Sequence, residues 1–213
     1  MCQSGAMNSI EPTPFKSTEE RDRERHEKRD AVLRVAVSMF NERGFHATSL
    51  DDVGARLKVR KPTIYHYFGT KELILLECLK RGLDQLTAAA NVAAEEPGDG
   101  MHRLRAFLKR YGEINMSDFG KSVVLTGEEV LSPDIAEQIR KMKREVDEAM
   151  RKLILAGMDD GSIAPGNVRL IAFTLAGALN SPARWYDPGK SESEQDIAAA
   201  IVDILTKGLE PRR

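Results

Sequence analysis

Apolar positions recur at helical spacing along most of the chain and nowhere alternate long enough to make a strand. From Asp30 to Arg43, Val32, Val35, Ala36, Met39 and Phe40 fall on one face, and Gly44 stands where that helix stops. Leu50, Val53, Gly54 and Leu57 give a short second helix one apolar side. Thr48 or Ser49 is placed to cap it, because a hydroxyl accepts from amides that a first turn leaves unpaired. Asp51 or Asp52 then sits near the positive helix end. Lys58, Val59 and Arg60 form a tight turn, with Val59 expected to be its buried plug. A third helix opens at Lys61-Pro62, where the missing proline N–H would have had no partner anyway. Ile64 and Phe68 face inward, which leaves Lys61, Thr63, Tyr65, His66 and Tyr67 outside. A short helix dense in cationic, hydroxyl and aromatic groups suits the DNA major groove.

A long helix follows from Gly69 or Thr70 to about Val92, with Leu73, Leu76, Leu79, Leu83 and Leu86 as its stripe. Glu95 to Gly100 is an acidic Pro/Gly break. Met101, Leu104, Phe107, Leu108 and Tyr111 define another helix, and Ile114 to Gly127 is less regular. Ser132-Pro133-Asp134 opens a helix carrying Ile135, Ile139, Met142, Val146, Met150, Leu153 and Ile154, which stops at Gly157 and Asp159-Asp160-Gly161. Asn167 caps the next, which Pro182 bends or interrupts. Ser191 with Glu194 reads as a capping box for a last helix through Ile197, Ala198, Ile201, Ile204 and Leu205, ending near Gly208. The pattern predicts an all-α protein: a three-helix helix-turn-helix domain over 29–75 and a larger helical domain over 76–213. Residues 1–28 are expected to be a flexible tail. Its alternating charges from Lys16 to Arg29 suit a solvated tail, an arm on the DNA backbone, or a backward extension of the first helix through ion pairs.

The stretch Val59–Phe68 with Gly69-Thr70-Lys71-Glu72-Leu73 resembles the recognition-helix signature of TetR/AcrR-family transcriptional regulators. Phe40-Asn41-Glu42-Arg43-Gly44-Phe45 and Thr48-Ser49 match the same family's approach to its second helix. The resemblance covers Arg29 to Glu77, about the first third of the chain. Three positions depart from the family pattern: Lys58 where a glycine is usual, Arg60 where a serine cap is usual, and Pro62 where glycine is common. Lys58 is therefore expected in a left-handed conformation.

The resemblance implies a DNA-binding regulator, here expected to be a repressor. The DNA contacts expected are Thr48, Ser49, Arg60, Lys61, Thr63, Tyr65, His66, Tyr67 and Lys71. Of these, Thr48, Tyr67 and Lys71 would hold phosphates while Lys61, Thr63, Tyr65 and His66 meet bases. It also implies a two-fold dimer through the last two helices on a palindromic operator, and a small hydrophobic effector. Aromatic and methionine positions in the middle helices serve either as core or as the wall of an apolar pocket. Those expected for the pocket are Phe107, Tyr111, Met116, Phe119, Met142, Val146, Met150 and Phe173. Gly177 to Gly189 is similar to the subset of the family that senses acyl-coenzyme-A thioesters. Arg184 and Trp185, with Arg140, Lys141, Lys143 and Arg144, would then supply cations and an aromatic platform; the alternative for that cluster is a solvated helix face.

Composition changes this picture little. The chain has 213 residues, 41% of them hydrophobic, enough for a substantial core, and a net charge of −1 rules out a polybasic coat. Cys2 and Cys78 make no disulfide framework or metal ligand set and fit a reducing cytoplasm; Cys78 reads as packing or as a redox sensor. No apolar run nears the ~18 residues of a membrane span. His26, His46, His66 and His102 show no ligand pairing, and there is no Gly-rich phosphate loop or nucleophile elbow. No enzyme, metal or cofactor is expected. The competing reading is a helical adaptor whose helix-turn-helix no longer binds DNA, which a flat salt dependence on random duplex would reveal.

Overall fold

The computed structural model describes residues 17–189 and 192–207. The helices are α1 (Thr18–Arg43), α2 (Leu50–Leu57), α3 (Lys61–Phe68), α4 (Lys71–Ala94), α5 (Gly100–Met116), α6 (Asp118–Leu125), α7 (Pro133–Asp159), α8 (Val168–Asn180), α9 (Pro182–Trp185) and α10 (Glu194–Lys207). A 3-10 turn, Glu128–Val130, joins α6 to α7, and the described residues hold no strand.

The first helix is longer than its apolar stripe. It begins at Thr18 rather than near Asp30, so residues 17–28 are not a flexible tail. The Ser17 hydroxyl accepts from the Glu20 N–H at 3.1 Å, and the Glu20 carboxylate accepts from the Ser17 N–H at 2.8 Å. That reciprocal cap gives the polar segment a defined start, and Lys28 pairs with Glu24 one turn away at 2.7 Å. The rest of the expected tail, residues 1–16, lies outside the described residues.

The boundary drawn at residue 75 falls inside α4, which runs unbroken through it. Leu75, Leu76 and Leu79 are buried on either side of that line. One hydrophobic cluster extends from Val32 of α1 to Val202 of α10, so the two parts share a core. α4 packs against α5, α6 and α7, and α6 lies against both α1 and α4. The segment that looked irregular is two helices hinged at Ser117. α6 buries Gly120, Ser122 and Val123, a face too small and polar to show as an apolar stripe. At Gly82 of α4 the two backbones nearly touch: a Cβ there would meet the Phe119 carbonyl oxygen at 2.5 Å.

Asp99 caps α5 by accepting from the His102 N–H at 2.8 Å. The capping expected of Ser191 falls on a residue outside the described ones; the described cap of α10 is Ser193, which accepts from the Asp196 N–H at 3.1 Å.

Candidate nucleic-acid interface and effector cavity

Ser49 takes the cap of α2. Its hydroxyl accepts from the Asp52 N–H at 3.1 Å and the Asp52 carboxylate accepts from the Ser49 N–H. The Ser49 hydroxyl also donates to the Asp52 carboxylate at 2.7 Å, and that bond, with the one from the Ser49 N–H, holds the Asp52 carboxyl below its ordinary range. Thr48 is buried instead, its hydroxyl shared between the carbonyls of Met39 at 3.2 Å and Gly44 at 3.0 Å. It pins the corner between α1 and α2 and has no surface to offer a phosphate, contrary to the expectation from sequence. Lys58 is left-handed as expected, at φ 57° and ψ 34°, and ends α2. The Val59 N–H then donates to the Gly54 carbonyl at 2.9 Å. A Cβ on Gly54 would meet the Val59 carbonyl at 2.7 Å, so the turn closes backbone on backbone. Val59's side chain is consequently exposed rather than a plug; Val53, Ile64 and Phe68 fill the space beneath.

With Ile64 and Phe68 buried, α3 presents Lys61, Thr63, Tyr65 and His66 outward, Arg60 exposed before them and Tyr67 half-buried. Lys61 donates to Asp51 at 2.9 Å, which raises its pKa, and lies 5.9 Å from the centre of the Tyr65 ring. Two cations lock the motif from behind. Arg29 donates to the Tyr67 carbonyl at 2.7 Å with its guanidinium 4.5 Å from the Phe68 ring centre. Lys71 donates to the carbonyls of Phe45 at 2.8 Å and Thr48 at 3.0 Å and lies over the Phe45 ring. Partial burial lowers its pKa. The Lys71 ammonium therefore faces inward, not toward a phosphate; only its place at the start of α4 matches the expectation. Arg29 was missed because nothing in the sequence couples residues 38 positions apart. Arg25 and Lys28 share a shallow surface depression with His66 and Tyr67, which places the N-terminal half of α1 beside the exposed face of α3. The sign available in the sequence was the Ser17-x-x-Glu20 cap.

The second feature is a half-open cavity of about 1010 Å3 bounded by α4, α5, α6, α7, α8 and α9. Its inner wall is apolar and buried: Leu83 and Leu86 of α4, Val123 of α6, Val146 and Met150 of α7. Of the residues expected to line it, Tyr111, Val146, Met150, Phe173 and Arg184 do. Phe107 is core, edge-on to Tyr111 at 5.7 Å. Met116 packs with Tyr186, Ile197 and Ala198; Phe119 lies under Arg81; Met142 packs on the main core from outside the lining. Trp185 is exposed, its indole N–H donating to Ser181 at 3.1 Å. Sequence spacing could not separate these cases, since wall and core use the same residue types.

Polar groups ring the cavity. Lys143, Arg144, Arg151, Arg169 and Arg184 line it against Asp147 and Glu148. Arg151 pairs with Asp147 at 2.6 Å and Arg144 with Glu137 at 2.9 Å. Burial lowers the pKa of Lys143, with Glu128 opposing. Arg140 pairs with Glu128 and Glu137 and takes no part in the lining. Deeper in, Asn180 Oδ1 accepts from the Tyr111 hydroxyl at 3.0 Å and from Asn115 Nδ2 at 2.8 Å. Asn115 Oδ1 and Arg151 Nε are buried with no partner among the described residues. Cys78 is buried apart from the cavity, its thiol near the Leu33 carbonyl and its pKa pushed up by burial, so it packs and does not ionise.

α6 joins the two features. Val123 and Val124 line the cavity, while the Asp118 carbonyl accepts from Asn41 of α1 at 2.8 Å. Arg81 of α4 pairs with Asp30 of α1 at 2.7 Å and lies 4.9 Å from the Phe119 ring centre. No described helix is long and apolar enough to cross a membrane.

Comparison with known proteins agrees with both halves. Residues 32–78 match the family described as bacterial regulatory proteins, tetR family, and residues 97–209 match the tetracyclin repressor-like C-terminal domain. The chain is 28% identical over 187 residues to the HTH-type transcriptional activator FasR of Mycolicibacterium smegmatis, covering 87% of this chain and 84% of that protein. The crystal structure of PfmR, a TetR family regulator from Thermus thermophilus, superposes with a TM-score of 0.77 at 29% identity, covering 84% of this chain and 99% of that one. AibR in complex with isovaleryl coenzyme A and operator DNA shares the fold at a TM-score of 0.73 and 19% identity, over 83% of this chain and 97% of its own. With a helix-turn-helix at one end, the matching helical body at the other and α4 running through both, the chain belongs to the TetR family of DNA-binding transcriptional regulators.

Proposed function

We propose that this regulator is a ligand-responsive repressor that binds a palindromic operator as a two-fold dimer and leaves it when a small hydrophobic effector, of the acyl-CoA thioester kind, fills the cavity. The observation that carries this reading is α6, which lines the cavity with Val123 and Val124 and is also held to α1 and α4. An occupant that displaces α6 moves the helices against which α3 is clamped. Linkage requires only that the effector bind the DNA-incompetent arrangement more tightly. An apolar wall with surplus cations at the rim suits an acyl chain with an anionic head, the chemistry of the isovaleryl coenzyme A bound to AibR.

On DNA, Arg60, Lys61, Thr63, Tyr65 and His66 enter the major groove, and Ser49, Tyr67, Arg25 and Lys28 meet phosphates. α8 and α10 expose Leu170 and Ile204, 61% and 73% accessible, apolar surface that a second copy would cover. Pairing there sets two recognition helices about one DNA turn, ~34–36 Å, apart. An operator mobility-shift series tests the reading. Tyr65→Ala should lose about 1–3 kcal/mol of operator binding while folding normally, because Tyr65 is exposed. Unchanged affinity would reject the assigned face, and a salt-independent affinity for random duplex would reject DNA binding by this surface.

A further inference from the structure

We propose that Asn115 sets the effector's chemistry: the ligand carries a hydrogen-bond donor, a hydroxyl or N–H, on the part of its apolar body that lies against α5. This rests on the effector reading above and goes beyond it. Asn115 is 1% exposed and lines the cavity beside Tyr111 and Asn180. Its Nδ2 is committed to Asn180 Oδ1 at 2.8 Å, the atom that also takes the Tyr111 proton at 3.0 Å. The trio uses the donors of Asn115 and Tyr111 and leaves Asn115 Oδ1 as an acceptor without a partner among the described residues.

A buried polar atom without a partner is rare, because leaving one costs more than a made hydrogen bond returns. In the wall of a ligand cavity the imbalance becomes selectivity. A plain methylene placed against Oδ1 strands it, whereas a hydroxyl or N–H completes it. The other unpartnered atom in the lining, Arg151 Nε, belongs to a guanidinium already paired with Asp147 and is a donor, so it does not make the same demand. At the rim Lys143, Arg169 and Arg184 make no ion pair at 4.0 Å or less among the described residues, and they answer an anionic head. The occupant is therefore an anionic amphipath of fatty-acyl kind that is hydroxylated or amide-bearing along its chain, not a plain hydrocarbon tail.

Calorimetric titration of the full-length protein, without DNA, tests this with dodecanoic acid, a positional series of hydroxydodecanoic acids and the matching keto acids. We expect one hydroxy isomer to bind at least about tenfold more tightly than dodecanoic acid and than its own keto partner. Asn115→Leu should abolish that preference, so that hydroxy, keto and plain acids bind alike. Equal binding of hydroxy and plain acids, or a preference for the keto acid, overturns the donor assignment while leaving the effector cavity intact. Failure of every acid while dodecanoyl-CoA, titrated beside them, binds overturns the free-acid amphipath alone; failure of the thioester as well overturns the effector class proposed above. The hydroxy, keto and plain comparison on the unaltered protein keeps the test decisive should Asn115→Leu fold poorly.

Discussion

Gly82 is the position where the effector body and the DNA-binding helices come closest to sharing a backbone, and Gly82→Ala measures how tightly. A Cβ there would lie 2.5 Å from the Phe119 carbonyl oxygen, 2.9 Å from the Phe119 carbonyl carbon and 2.8 Å from Val123 Cγ2. Ordinary contact begins at 3.4 Å, so α6 must back away by about 0.9 Å. The obstacle is mainly backbone of a helix that is itself bonded to Asn41, so no side-chain rotation relieves it. Overpacking of this kind costs about 1–3 kcal/mol. Alanine returns about 0.5–1 kcal/mol in helix propensity over glycine. From the middle of both ranges the net expectation is a loss of about 1 kcal/mol, read as a lower urea midpoint at fixed protein concentration, since the proposed dimer would make stability concentration-dependent.

Because the displaced helix holds α1, operator affinity should shift in the same variant although Gly82 is buried and far from α3 in sequence. A variant that is as stable as the wild type, or more so, would refute the reasoning. It would show that α4 and α6 separate freely and that α6 does not hold the DNA module.

Lys71→Met should cost about 1–3 kcal/mol of stability by stranding the Phe45 and Thr48 carbonyls, and should leave the salt slope of operator binding unchanged. A slope shallower by about one unit at unchanged stability would instead make Lys71 a phosphate contact. Asp30 supplies a pH-dependent term. Hydrogen bonding to Arg81 holds its carboxyl below its ordinary value of 3.8, so in that acid window the unfolded chain takes up the proton more readily than the folded one. The stabilisation is therefore present above 3.8 and is lost as pH falls through the lowered folded value; Asp30→Asn should remove that pH dependence from the urea midpoint. Arg29→Met should loosen the end of α3, weakening operator binding about uniformly across sequences and sparing effector binding, as mobility shift and calorimetry would show.

The helices of this protein were legible in its sequence wherever one face is apolar and the caps are local. The buried pair Ile64 and Phe68 follows from spacing, and the left-handed Lys58 from its standing where the resembling family has a glycine. The choice between Thr48 and Ser49 did not, since both are hydroxyls at a helix start; the carbonyls of Met39 and Gly44, which take the Thr48 proton, decide it. α6 was hidden because its buried face holds Gly120 and Ser122, small residues selected by the closeness of helices, not by hydrophobicity. The start of α1 stood only as one of three readings for the opposite reason: it has no buried face, and the ion-paired extension that the structure shows is held by its cap and salt bridges. For the cavity, periodicity puts Phe107, Tyr111 and Asn115 on one side of α5, and only the neighbours distinguish core from wall. Asn115 reads from sequence as a polar flaw in an apolar face. The fold turns that flaw into an acceptor in the lining with no partner among the described residues.

The shared core constrains how such a molecule responds. A cluster that runs from Val32 to Val202 without a break leaves no flexible joint at which an effector's push is absorbed. A displacement of Val123 by an occupant can pass into α4 at Gly82, which Val123 itself abuts, or into α1 at Asn41, which holds the Asp118 carbonyl of the same short helix. From α1 it reaches α3 through Arg29, which holds the Tyr67 carbonyl, and from α4 it reaches α2 through Lys71, which holds the Thr48 carbonyl. Both routes end on backbone carbonyls of the DNA-binding motif, so they reorient the motif as a body and do not unpick its internal packing. On the proposed function, operator affinity would then change through the placement of an intact reading head, the form of response that a two-fold dimer converts into a mismatch with fixed half-site spacing.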